Sequence, residues 1–178
     1  MKNILFSIIT DYQIIVTVLV VIIAWRFGDW RNWQLYYPTM LYYVVGDISC
    51  SFVFYNFPLW ELESPLLKTT FSDLLISMVA FPAAILVYLP YFPKTLFKRA
   101  MYILAWAIIF GTIEFISFKL GFISYFHGWC LMWTFAFDII MFTLLALHFK
   151  KPLLTLGLSA ICAIIVMLYF QVPISSMK

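Results

Sequence analysis

Long apolar runs alternate along this chain with short polar connectors, and the runs have the length of a membrane crossing. A helix rises about 1.5 Å per residue, so about 20 apolar residues cross a hydrocarbon core of about 30 Å. That ruler divides the sequence at roughly residues 4–25, 38–58, 71–89, 100–118, 129–147 and 153–172. The pattern predicts an all-α, polytopic integral membrane bundle of about six transmembrane helices, folded as a single domain. The first run, with Asp11 near its beginning, is the weakest of the six.

The punctuation refines this reading. Between the first two runs, charged residues alternate with Trp30, Trp33, Tyr36 and Tyr37, a composition suited to the headgroup level, which predicts an interfacial turn or short helix. Pro38 then opens the second run in a first helical turn, where its missing N–H costs nothing. Thr70-Phe71-Ser72-Asp73 has the capping-box pattern, with Asp73 answering free amides at the start of the third helix. Seven of the eight prolines lie at run ends or in connectors. The eighth, Pro82, sits halfway along the third run, where it removes a backbone hydrogen bond, predicts a kink and can shape a cavity.

Composition supports the same class. Hydrophobic residues make up 65% of the chain and charged residues only 11%, with a mean hydropathy of +1.01. The net charge of +3 is too small and scattered for nucleic-acid binding. Its placement says more. Arg26, Arg31, Lys94, Lys98, Arg99, Lys150 and Lys151 fall in the first, third and fifth connectors, against Lys2, Lys68, Lys119 and Lys178 on the other side. The positive-inside rule puts the richer side in the cytoplasm and both termini outside. Cys50, Cys130 and Cys162 follow no metal-ligand or C-x-x-C spacing and read as small buried hydrophobes. The tryptophans at run ends (Trp25, Trp30, Trp33, Trp60, Trp129, Trp133) read as interfacial anchors, and only Trp106 lies well inside a run.

Chemistry is expected where ionisable side chains enter the apolar runs, because such groups are costly in hydrocarbon unless they face a partner or a wet cavity. Asp47 and Asp138 fall near the predicted midplane, each about 14 Å from the start of its run, and Glu114 lies about 7 Å from the outer end of the fourth. The bland alternative is that each carboxylate hydrogen-bonds to a neighbouring helix and only fixes packing. Three acids on three helices otherwise suit a proton path or a site for a hard cation. Asp11, Glu114 and His127 fall on the outer side, as a polar vestibule. His127, in a Tyr-Phe-His-Gly-Trp turn, suits an interfacial hydrogen bond better than a metal, because no second His or Cys stands at zinc-ligand spacing. His148, beside Lys150 and Lys151, reads as a helix-end residue.

Enzyme motifs are absent from the sequence: no H-E-x-x-H, no G-x-S-x-G and no phosphate-binding glycine loop. Gly46-Asp47 matches half of a Gly-x-Gly-Asp motif, so an intramembrane aspartyl-type hydrolase pairing Asp47 with Asp138 is a third-ranked expectation. Ahead of it stand a protein that binds or moves a small solute or cation through Glu114, Asp47, Asp138 and His127, and an accessory subunit of a membrane assembly or homo-oligomer. No cofactor is called for.

Trp30 and Trp33 ahead of Pro38-Thr39, then Pro58-Leu59-Trp60, Pro82, and Glu114 with Gly121, Tyr125 and His127-Gly128-Trp129 together form a further pattern. It resembles a family of small, uncharacterised multi-spanning membrane proteins of spore-forming Firmicutes, over about residues 26–152. The resemblance implies a bacterial plasma membrane and assigns no activity.

Overall fold

In the computed structural model, which describes residues 11–64 and 69–176, the chain is all-helical apart from one small ribbon. The helices are α1 (Tyr12–Phe27), α2 (Trp33–Val53), α3 (Thr69–Leu75), α4 (Phe81–Tyr88), α5 (Leu96–Lys119), α6 (Leu131–His148) and α7 (Pro152–Tyr169). A π turn, Ile76–Ala80, joins α3 to α4. Strands β1 (Trp60–Leu62) and β2 (Ile123–Tyr125) pair antiparallel, with Trp60 opposite Tyr125 and Leu62 opposite Ile123.

Among the described residues, four helical stretches can cross a membrane by length and composition: Thr70–Tyr88, Leu96–Lys119, Leu131–His148 and Pro152–Tyr169. A fifth is added if α1 and the stretch Trp30–Val53, which meet at 91°, count as one broken span. The part of the expected first run before Asp11 lies outside the described residues. Within them, Asp11 caps α1, its Oδ1 accepting from the amides of Gln13 and Ile14.

Two local expectations change. The interfacial segment is a 3-10 turn, Trp30–Asn32, leading straight into α2, so Pro38 lies inside the helix and not in its first turn. The helix starts early because the Asp29 carboxylate accepts hydrogen bonds from the Asn32 side-chain Nδ2 at 2.9 Å and the Tyr36 hydroxyl at 2.9 Å, which organises the turn ahead of it. Thr70 already belongs to α3, so it is not an N-cap and Asp73 lies in the second turn. Directly before Pro82 stands the π turn, in which the Phe81 amide reaches back five residues to the Ile76 carbonyl. A π register shifts the local bonding so that a residue without an N–H is accommodated.

The ends of the elements gather at two poles. At one, which we call the ribbon end, Gln13 donates to the Phe122 carbonyl at 3.2 Å, Tyr12 donates to the Ile113 carbonyl at 2.8 Å, and Ser64 donates to Asp11. Leu59, Trp129, Phe170 and Val172 close this pole as a buried cluster. At the other, the Asp29 amide donates to the Leu86 carbonyl, Tyr91 to the Phe27 carbonyl, and Tyr36 packs on Phe149 at 5.7 Å between ring centroids. The connectors of this pole carry Arg31, Lys94, Lys150 and Lys151, so it is the basic end.

Between the poles the core is aromatic. Tyr88 is fully buried, donates to the Phe142 carbonyl at 2.8 Å, and meets the edge of Trp106 at 5.4 Å. Trp106 packs against this core, while Trp25 stays 77% exposed as an anchor would. Trp60, Trp129 and Trp133 differ from the anchor expectation, packing into the ribbon-end cluster. Cys130 is exposed, not buried.

Candidate functional site

The Schellman turn that ends α5 aims β2 back across the bundle. The Phe122 amide bonds the Ser117 carbonyl at 2.8 Å and the Gly121 amide bonds Phe118 at 3.1 Å, with Gly121 at φ +77°. The ribbon then brings Tyr125 over the last turns of α5, where its hydroxyl donates to Glu114 Oε1 at 2.7 Å. Thr134, in the first turn of α6, donates to the same oxygen at 2.6 Å and accepts from the Trp129 indole at 3.0 Å. Burial and the adjoining Glu114 carboxylate hold the Tyr125 hydroxyl above its usual range, so it stays a donor. Lys119 turns away from Glu114 and lies over the Phe115 ring at 5.5 Å.

His127 sits on the far side of the same ribbon. It occupies the first left-handed position (φ +53°) of a tight turn closed by the Trp129 amide on the Phe126 carbonyl at 2.9 Å, with Gly128 at φ +83° in the second. Two consecutive positive φ values define a type I′ turn, the reason for glycine at 128. The ring stacks on Phe57 at 3.5 Å, and Nδ1 meets the Pro58 carbonyl at 2.8 Å, which requires the Nδ1–H form. His127 thus ties β2 to the chain leaving α2, and Glu114 is not among its partners.

The two aspartates face the interior from α2 and α6. Asp138 is 6% exposed and its Oδ2 has no hydrogen-bond partner; it lies within electrostatic reach of Glu114. Asp47 is half-buried and is hydrogen-bonded with Ser77, which the π turn turns toward α2. Tyr43, one helical turn before Asp47, is 7% exposed, and its unpartnered hydroxyl is within electrostatic reach of both aspartates. Asp47 lies six residues before the end of α2 and Asp138 seven after the start of α6, about 9 and 10 Å from the ribbon end. Their depths match, and each lies closer to the middle of its helix than to that pole. They share no hydrogen bond, and both lie within electrostatic reach of Tyr43.

Among the described residues no three His, Cys, Asp or Glu side chains are grouped to hold a metal ion. A cavity of about 310 Å³ does open beside Pro82, lined by Met78, Val79, Val21, Trp30 and Trp33, but it is apolar. Another of about 340 Å³ lies at the ribbon end against Glu63, Ser64, Gly121 and Phe122. Neither is lined by Glu114, Asp138 or Asp47.

The hydroxyls that dress the carboxylates escaped sequence reasoning. The spacing of Thr39, Tyr43 and Asp47, four residues apart on one face of α2, was available as a signal. Nothing local announces Ser77, because its position depends on the π turn, or Thr134, which meets Glu114 only when α6 folds back along α5. No family model, curated protein or solved structure matches the chain.

Proposed function

We propose that this chain is a six-span protein of a bacterial plasma membrane that binds or moves a small solute or cation through its interior, with Glu114, Asp138 and Asp47 as the working groups. The observation that carries the reading is Asp138, buried with an oxygen left unpartnered. A carboxylate used only for packing would be met by donors, since an unsatisfied buried acceptor costs about 1–3 kcal/mol and more when charged. In this reading α1 and α2 cross separately, the third span bends at its π turn, and the basic end faces the cytoplasm with both termini outside. The likeness to small membrane proteins of spore-forming Firmicutes supports the compartment.

The test is cation flux into vesicles reconstituted with purified protein, using H⁺, Na⁺ and Rb⁺ as probes. Asp47→Asn, Glu114→Gln and Asp138→Asn should insert and purify as the parent does but lose the flux. If all three match the parent, the reading fails. A second reading, an accessory subunit or homo-oligomer, draws on α7, whose only buried residue is Thr155. That reading predicts co-purification of a second chain or copy in mild detergent, and a lone monomer counts against it.

A further inference from the structure

We propose that the cation handled by this interior is the proton, carried from Glu114 near the ribbon end through Asp138, Tyr43 and Thr39 to His148 at the basic end. This rests on the reading above and names its cargo and route.

Two buried stripes run past each other in opposite directions. On α2, Thr39, Tyr43 and Asp47 recur every four residues and so share a face; on α6, Thr134, Asp138 and His148 are all buried. The stripes meet at the basic end, where Thr39 Oγ1 lies 3.1 Å from His148 Nδ1 and the Tyr42 ring stacks on the imidazole at 4.1 Å. From Asp138 to His148 along α6 is about 15 Å, too far for one transfer. Tyr43 closes most of that gap from the opposite helix. A long side chain on a helix points back toward the N-terminus, which for Tyr43 is the direction of Thr39, one turn and about 6 Å away.

The middle of the line holds two unanswered groups. Asp138 Oδ2 and the Tyr43 hydroxyl are each more than nine-tenths buried and without a partner, one an acceptor and the other a donor. The facing charges are Glu114 from α5 and Asp47 from α2. His148 is met by Thr39 and Tyr42, with Lys150 and Lys151 following in the chain. A tightly held metal ion usually draws on several charged or imidazole ligands together, and no three His, Cys, Asp or Glu side chains are grouped so among the described residues. A proton needs only a donor and an acceptor.

Asp47 forms a side branch. The Ser77 oxygen contacts both the Asp47 carboxylate and, at 2.7 Å, the Asp73 carbonyl. The Ser77 hydroxyl is the donor in both contacts, and its one hydrogen serves the Asp47 carboxylate and the Asp73 carbonyl between them. Asp47 thus borders the line one helical turn beyond Tyr43.

The transfer balances. As the O–H bond of Glu114 breaks, a bridging water takes that proton and gives one of its own to Asp138 Oδ2, which has no direct partner. Through further bridging waters Asp138 then passes a proton to the Tyr43 oxygen while Tyr43 releases its own toward Thr39, and Thr39 releases its own to His148 Nδ1 across their direct contact, with Nε2 carrying the resting hydrogen. Each hydroxyl gains and loses one proton. Only Glu114 and His148 change charge, and water at the two poles resets them.

The test uses vesicles holding the full-length protein and an internal pH dye, driven by a potassium diffusion potential, with Na⁺ and Rb⁺ tracer uptake measured in parallel. The parent should show proton flux, and Asp138→Asn, His148→Gln and Tyr43→Phe should each reduce it to the level of protein-free vesicles. Tyr43→Phe keeps the ring stacked on Phe81 at 4.2 Å and removes only the hydroxyl, so a thermal melt matching the parent separates lost transfer from lost fold. Proton flux untouched by Tyr43→Phe in a normally folded variant overturns the route. Uptake of Na⁺ or Rb⁺ that depends on Asp138, without proton flux, overturns the proton and leaves the broader reading standing. No flux of any probe overturns both.

Discussion

Glu114 is held by two hydroxyls on one oxygen, Tyr125 from the ribbon and Thr134 from α6. Removing either donor by Tyr125→Phe or Thr134→Val should lower stability in detergent by about 1–3 kcal/mol, as read from chemical unfolding. Thr134→Val should cost more, because it also leaves the Trp129 indole unanswered. Glu114→Gln keeps a carbonyl oxygen in the same place, so both donors remain served and the loss should be smaller than either. Tyr125 adds a pH dependence. Its folded hydroxyl ionises above the ordinary tyrosine range, whereas the unfolded one ionises near about 10. The unfolded state therefore releases a proton first, so stability is intact below that pH and falls as pH rises through it. In Tyr125→Phe this part of the alkaline decline should disappear.

Helix ends show how backbone geometry places the ribbon-end groups. Both α5 and α7 finish in Schellman turns, with Gly121 and Gln171 at the left-handed position. The Val172 amide bonds the Met167 carbonyl at 2.9 Å, the same closure that Phe122 makes on Ser117. A side chain in that conformation costs about 1–2 kcal/mol. Gly121→Ala should therefore destabilise by about 1 kcal/mol, and Gln171→Gly should stabilise by a similar amount. Thermal melts of the two variants should move in opposite directions. Equal shifts of one sign would mean that side-chain contacts, not backbone conformation, govern these ends. The π turn before Pro82 works at the same scale, since it turns Ser77 toward Asp47.

Taken as a whole, the molecule sorts its charge between two poles. Impermeant maleimide applied to intact cells should label Cys130, which is exposed at the ribbon end, and should label Lys94→Cys only after permeabilisation. The reverse pattern would invert the orientation. Helical class and apolar spans were legible in the chain, because a backbone in hydrocarbon must satisfy its hydrogen bonds within the helix and a run of about 20 apolar residues announces that locally. The carboxylates at 47, 114 and 138 were legible for the same reason: charge inside such a run stands out against its neighbours. Which groups meet those carboxylates was not. Thr134 reaches Glu114 across 20 residues, Ser77 reaches Asp47 across 30, and Thr39 reaches His148 across 109. Contacts of that kind depend on how helices pack and where a ribbon or π turn redirects the chain. Periodicity along one helix identifies the face that turns inward, but only the assembled bundle decides what that face meets.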